Sequence, residues 1–304
     1  MPPFAGVFKP RAALDQPDKK TLPPLPASQP IRYNPWFRRP ERQRENMDER
    51  AAPLAPDLSV VIPAYNEEKR LGPTLERVRE YFASIEYTTE ILVVDDGSAD
   101  GTVALARDYA ANWPALRVLE NGRNRGKGYS VRHGMLKATG TDMLFSDADL
   151  STPIEETARL RAAVREEGAG VAIGSRALPE SNLAQRQPWY REMMGRTFNK
   201  FVQALAVPGV VDTQCGFKYF WGEVAKRVFA VQRLDGFAFD AEVLCLASRF
   251  GYAIKEVPVT WIDSPDSRVH PVKHALAMMR ELFGVRWNVA RGVYDRPREG
   301  DPLA

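Results

Sequence analysis

The sequence predicts an α/β protein with a mainly parallel central sheet and helices on both faces. Short β-branched runs alternate with stretches whose apolar residues recur at helical spacing, the pattern of βαβ units. The apolar runs end in clusters of polar residues, where open α/β sheets bind ligands. A proline-rich opening stands apart in composition from all that follows.

The runs come in order. Leu58-Ser59-Val60-Val61-Ile62, ending at Pro63, reads as a buried strand. Leu71, Leu75, Val78 and Phe82 recur at helical spacing within 67–82. Glu90 to Val94 is a second strand and 101–111 a helix. Arg117 to Leu119 is a third strand, followed by a helix over 129–138. Asp142 to Ser146 is a fourth strand, followed by a helix over 154–166. Crossovers between such strands are right-handed.

Of the 24 prolines, twelve fall in residues 1–56, with ten basic and six acidic residues. Proline blocks helix continuation and removes a backbone donor, so 1–56 reads as a disordered Pro/Arg-rich tail. A folded domain is expected over 57–265, divided into 57–151 and 152–265. A loop and an amphipathic helix follow over 266–304.

With 304 residues the chain can bury a sizeable core, and 44% hydrophobic with 27% charged residues is a soluble globular profile. A net charge of +3 argues against a dedicated nucleic-acid binder. Cys215 and Cys245 are too few for a disulfide framework or a Cys-based zinc site, and they fit a reducing compartment. No run of about 18 apolar residues predicts a membrane span, and Met1 to Pro10 lacks a signal-peptide core. The expected location is cytoplasmic, peripheral on the inner face of the membrane, since lying on a bilayer needs no spanning segment.

Four polar clusters carry the chemistry. After the first strand, Tyr65 can stack on a base and Glu67 can accept from base or ribose; Asn66 before acids equally reads as a helix cap. After the second, the adjacent Asp95 and Asp96 repel each other and need partners, either ribose hydroxyls and base or the turn itself. After the third, Asn121-Gly122-Arg123-Asn124-Arg125-Gly126-Lys127-Gly128 sets glycines beside cations at a helix start. That is a site for phosphate oxygens or a flexible basic turn. It matches neither the Walker pattern nor Gly-x-Gly-x-x-Gly. After the fourth, strand alternation would put Asp147 and Asp149 on one side with Ala148 opposite, a hard-oxygen site for Mg²⁺ or Mn²⁺.

Val60-Val61-Ile62-Pro63-Ala64-Tyr65-Asn66-Glu67, Val93-Val94-Asp95-Asp96-Gly97-Ser98 and Asp147-Ala148-Asp149-Leu150 together resemble the family 2 glycosyltransferases. Gly174-Ser175-Arg176, Asp212-Thr213-Gln214-Cys215-Gly216-Phe217-Lys218 and Phe239-Asp240-Ala241-Glu242 are more similar to the dolichyl- and polyprenyl-phosphate β-glucosyltransferases than to the related mannosyl enzymes. The resemblance implies a single Rossmann-like catalytic domain of the GT-A fold. It implies an inverting transfer of a hexose from a nucleotide sugar, UDP-glucose favoured, to a polyprenyl phosphate. Pro63, Tyr65, Glu67, Asp95, Asp96, Lys127, Asp147, Ala148 and Arg268 would bind the donor. Asp147 and Asp149 would hold the metal, with Ser151 where some relatives carry Gln or His. Asp149 would be catalytic, and Asp240 and Glu242 would bind sugar hydroxyls or act as base. Those two also read as plain acids in a first helical turn.

Arg176, Arg191 and Arg196 are candidates for the acceptor phosphate, which a guanidinium matches in geometry. Residues 188–207 and 272–294 are basic amphipathic stretches with Trp189 and Trp287, suited to a membrane surface, a core face or a dimer contact. His270 and His274 lack a third ligand and read as surface residues. A GDP-mannose donor, a soluble or polysaccharide acceptor and a non-catalytic nucleotide-sugar-binding scaffold remain as alternatives.

Overall fold

The first half of the chain follows the predicted alternation. β1 (Leu58–Ala64) leads into α1 (Glu68–Ala83), β2 (Thr89–Asp95) into α2 (Thr102–Asn112), and β3 (Leu116–Glu120) into α3 (Lys127–Lys137). β4 (Asp142–Ser146) leads into a 3-10 turn (Ile154–Glu156) and α4 (Thr157–Arg165). The computed structural model describes residues 55–184, 189–262, 271–296 and 298, without the side chains of 189–194, 196 and 271–276.

The second half contributes β5 (Val171–Ser175), β6 (Asn182–Leu183), α5 (Trp189–Leu205), β7 (Phe217–Trp221), α6 (Gly222–Val231) and α7 (Phe239–Arg249). Then come β8 (Ile254–Pro258), β9 (Thr260–Trp261), α8 (Pro271–Ala290) and a 3-10 turn (Val293–Asp295). Seven strands form one sheet in the order β3-β2-β1-β4-β7-β5-β8, and β6 pairs with β9 apart from it. Within the large sheet β7 runs antiparallel to β4 and β5, and the other pairings are parallel.

The sheet is covered on both faces, which is why its central strands read as unbroken apolar runs. Along β1 and β2, Val61, Leu92 and Val94 enter one core with α3, α6 and α7 residues. Val60, Ile62, Ile91 and Val93 enter the other with α1 and α4 residues. Pro63 sits past Val61, the last β1 residue paired with β4, so its missing N–H costs that ladder nothing.

Two local expectations change. The N-cap of α1 is Glu67, while Asn66 sits at φ 55 and accepts from Ala99 N–H through Oδ1 at 2.8 Å. Asn66 therefore clips the first strand's loop to the second's. α3 begins at Lys127, two residues before the predicted start, which makes that lysine its first residue. At the other end of α3 the Lys226 ammonium donates to the carbonyls of Met135, Leu136 and Ala138 at 2.6–3.0 Å, a cation on the negative end of the helix. Among the described residues, no helix is long and apolar enough to cross a membrane.

Candidate active site

The carboxyl ends of β1, β2 and β4 bring the predicted polar clusters together. After β1, Tyr65 is 42% exposed, which leaves its ring open to a stacking partner. Glu67 is held by Arg70, whose Nε and Nη2 each donate to its carboxylate at 2.6 Å. Arg70 also reaches Asp149, with Nη1 3.9 Å from Oδ2. One guanidinium thus links the first strand's cluster to the fourth's, a role the sequence did not signal.

After β2 both carboxylates are buried and build loops. Asp95 accepts from the N–H groups of Gly97 (2.9 Å) and Ser98 (3.1 Å), which is the turn-chemistry alternative. Asp96 accepts from Asn121 Nδ2 at 2.8 Å and from the N–H groups of Arg125 and Gly126, both at 2.9 Å. The mutual repulsion is relieved by five donors divided between two loops, and Asp96 shapes the approach to Lys127.

Lys127 projects from the positive end of α3. Its Nζ donates to Asp147 Oδ1 at 2.7 Å and lies 5.2 Å from the Phe145 ring centroid. Burial opposes its charge, but Asp147 and Asp240 outweigh that and raise it above the usual lysine range. Burial raises the Asp147 carboxyl above its ordinary value; Lys127 counters this and Asp149 reinforces it.

The Asp147–Asp149 geometry differs from the expected strand alternation. β4 ends at Ser146, and the two aspartates lie in a turn closed by Leu150 N–H donating to Asp147 O at 3.2 Å. Leu150 sits at φ 46, a costly region for a branched residue and one typical of functional turns. Asp149 Oδ1 accepts from Ser151 N–H at 3.0 Å, and Ala148 O accepts from Thr74 Oγ1 at 2.6 Å. Ser151 O accepts from Ile262 N–H at 2.8 Å. Among the described residues no group of three or more His, Cys, Asp or Glu side chains gathers to hold a metal. Asp147 and Asp149 remain a two-carboxylate set, and Mg²⁺-type sites typically take one or two carboxylates.

Asp240 and Glu242 separate. They open α7 two positions apart, about 200° around a helix, so they cannot face one substrate. Asp240 is buried and ion-paired with Lys218, whose Nζ also donates to Cys215 O at 2.6 Å. Both Lys127 and Asp147 feel the charge of Asp240, which keeps it in the site. Glu242 turns away. It is fully buried and accepts from Arg233 N–H (3.0 Å), Leu234 N–H (2.9 Å) and Tyr294 Oη (2.7 Å). Its expected place at the sugar is corrected: its acceptor oxygens are spent on a loop and the C-terminal turn. Burial pushes its carboxyl up to about 7 despite these bonds.

Arg176 is gripped by Asp212. Nε and Nη2 each donate 2.8 Å to a different carboxylate oxygen, and the Arg176 N–H adds a third bond at 2.9 Å. The guanidinium lies 5.6 Å from the Trp261 ring centroid. Burial opposes its charge, and Asp212 more than restores it; Asp147 adds to that. Asp212 was visible only as part of a motif; its partner lies 36 positions away. Arg191 and Arg196 fall on α5, with side chains outside the described residues, as is Arg268 altogether. His270 and the side chain of His274 are also outside them.

A sheet that collects carboxylates and a helix-borne lysine at the carboxyl ends of its strands, with a turn of two aspartates beyond the fourth, fits the GT-A fold of glycosyltransferases. The chain belongs to family 2: the family described as "Glycosyl transferase family 2" matches residues 59–223, over half its length. It is 38% identical to the dolichyl-phosphate beta-glucosyltransferase of Drosophila melanogaster, over 75% of this chain and 73% of that one. Identity with the enzyme of the same name from Homo sapiens is 32%, over 90% and 88%. Glucosyl-3-phosphoglycerate synthase of Mycobacterium tuberculosis, solved with Mn²⁺ and UDP-glucose, shares the fold at a TM-score of 0.57 and 19% identity, covering 81% of each chain. A Pyrobaculum calidifontis mannosyltransferase, solved with GDP-mannose and Mn²⁺, does so at 0.50 and 20%, covering 82% and 67%.

Proposed function

We propose that the protein transfers a hexose, glucose from UDP-glucose being favoured, to a dolichyl or polyprenyl phosphate at a membrane surface, with inversion at the anomeric carbon. One observation carries this reading. The loop Asp212–Gly216 touches both halves of the site: Asp212 holds Arg176, while Gly216 O accepts from Asp147 N–H at 3.0 Å. A cation shaped for phosphate is thereby held beside the carboxylates that face a nucleotide sugar. The names of the relatives at 32–38% identity support the lipid acceptor.

Tyr65 and Glu67 flank the nucleoside, and Asp95 and Asp96 serve the donor by shaping its loops. Lys127 meets the diphosphate. Asp147 and Asp149 fit a divalent ion, Mg²⁺ or Mn²⁺: both offer hard oxygens, and a cation would offset the burial and, secondarily, the Asp149 charge that raise Asp147. When bound, such an ion offsets the charge that grows on the leaving nucleoside diphosphate. The nucleophile is a phosphate oxygen, largely ionised at neutral pH because a monoester's second pKa is about 6. Positioning by Arg176 therefore outweighs general-base help, and Asp240, paired with Lys218, is suited to sugar hydroxyls.

The test is transfer from a panel of UDP- and GDP-hexoses to a short-chain polyprenyl phosphate, with Mg²⁺ or Mn²⁺ and a chelator control. Metal-dependent glucolipid from UDP-glucose is expected. Donor hydrolysis without lipid product would remove the acceptor assignment, and transfer from GDP-mannose alone would replace the donor.

A further inference from the structure

Lys127 is presented by a backbone with no room for side chains. Gly126 adopts φ 103, and a Cβ there would stand 2.3 Å from Asp235 O. A Cβ on Gly128 would stand 2.6 Å from Leu234 O and 2.7 Å from Phe239 Cβ. The loop 232–238 is therefore clamped over the two residues that flank Lys127. Tyr129 N–H donates to Asp235 O at 3.2 Å, and Gln232 Nε2 donates to Gly128 O at 3.0 Å.

The same loop is bolted from behind by the C-terminal part of the chain. Glu242 takes the N–H groups of Arg233 and Leu234, and Tyr294, buried in the turn after α8, donates its hydroxyl to Glu242 Oε1. Arg233 Nη2 donates to Val293 O at 3.1 Å and Arg296 O at 2.8 Å. Arg298 pairs with Asp235 through two bonds of 3.0 and 3.3 Å. Glu281 of α8 accepts from Ala238 N–H at 3.3 Å. None of these groups touches Asp147 or Asp149, yet each restrains the loop that fixes where Lys127 points.

We propose that Tyr294 and Glu242 are positioning residues for the donor diphosphate, acting through the 232–238 loop on Lys127. The C-terminal turn is thereby part of the donor site. The inference rests on the reading of Lys127 as a diphosphate contact and deepens it. A contiguous hydrogen-bonded path is the physical requirement for such coupling, and a cycle of variants is its measure.

The experiment is calorimetric titration of the full-length protein with UDP and with GDP in the presence of Mn²⁺, which needs no lipid acceptor. Tyr294→Phe removes only the hydroxyl and is expected to weaken binding roughly five- to tenfold, the range one hydrogen bond spans. Arg298→Ala should act in the same direction and guards against a folding defect in the first variant. In a Lys127→Ala background, Tyr294→Phe should cost nothing further. An equal loss in both backgrounds, or wild-type affinity in both single variants, would overturn the proposal alone. Wild-type protein that binds neither nucleotide would overturn the donor reading and the proposal with it.

Discussion

A methyl group on Gly216 would stand 1.9 Å from Asp147 Oδ2, so the carboxylate occupies the space that any side chain there would need. Gly216 lies outside the left-handed region, so alanine meets no backbone penalty and only this contact decides the outcome. Gly216→Ala is expected to displace Asp147, break its bond with Lys127 and lower transfer by about 100-fold, the scale of a misplaced group at the reacting centre. The thermal midpoint should move little. Wild-type turnover in the alanine variant would show that Asp147 can be moved without cost.

Lys218 and Asp240 make a buried pair in which neither side chain has an exposed alternative. Lys218→Met leaves an uncompensated carboxylate and should destabilise the protein by about 3–5 kcal/mol. Lys218→Met with Asp240→Leu should recover much of that stability but not transfer, because Asp240 also acts electrostatically on Lys127. Urea denaturation of the two variants checks the first expectation and a transfer assay the second. A double variant no more stable than the single would remove the pair as the cause.

Arg176 and Asp212 predict a difference between two conservative changes. Arg176→Lys keeps the charge but loses the planar fork that Asp212 holds through two side-chain bonds. It should raise the KM for lipid phosphate at least tenfold and leave the KM for the sugar nucleotide within about twofold. Asp212→Asn should follow it, since the amide can accept at one atom only. Equal changes in both Michaelis constants would mean that Arg176 serves the donor.

Much of this site was legible in the sequence because strands covered on both faces leave an unmistakable apolar run. Val60-Val61-Ile62 and Ile91-Leu92-Val93-Val94 therefore located their polar ends correctly. The antiparallel β7 was not legible: Phe217 to Trp221 carries no mark of strand direction, which is set by what lies on either side. The Asp212–Arg176 clamp and the Arg70–Asp149 approach join residues far apart in the chain, which no local spacing reveals. For Asp240 and Glu242 the sequence left a sugar contact and a plain helix start both open, because one motif cannot show that helical geometry sends its two acids to different neighbours. The fourth strand ends at Ser146 as expected, but Asp147 and Asp149 lie in the turn beyond it, so the strand alternation assumed for them does not apply.

Glu242 gives stability a pH dependence whose sign can be worked out. Its carboxyl is raised from an ordinary 4.5 to about 7 by burial, against the bonds from Tyr294, Leu234 and Arg233 and with the nearby Asp235 adding to the rise. Between these values the native state holds a proton that the unfolded chain has released. The contribution of this group to stability therefore falls as pH rises from about 4.5 to 7, by about 3 kcal/mol, and is level above that. Glu242→Gln removes the titration, so its cost relative to wild type should be smaller at pH 8 than at pH 5. Urea midpoints at the two pH values measure it, and parallel pH curves would count against the assignment.

With a lipid acceptor as proposed, the outward face of α8 is the surface expected to meet a bilayer. Phe283 is 57% exposed and Trp287 62%, with Gly284, Arg286 and Ala290 lining the same apolar hollow. The Arg291 guanidinium lies 5.3 Å from the Trp287 ring centroid, and Arg280 and Arg286 are exposed. Glu281, the one acid on this helix, turns inward to the 236–238 segment. What remains is aromatic and basic, the composition of a helix that lies in an anionic interface. Phe283→Ser with Trp287→Ser should weaken sedimentation with phosphatidylserine vesicles by roughly 50-fold, the scale of losing one to two buried aromatic side chains. Transfer to a short-chain acceptor in detergent should stay within about twofold, because neither residue lines the site. Vesicle binding that survives the double substitution would assign it to another surface, and wild-type protein that does not sediment with vesicles would remove the membrane reading of this face. A change in sedimentation state without vesicles would assign the face to a second copy of the chain.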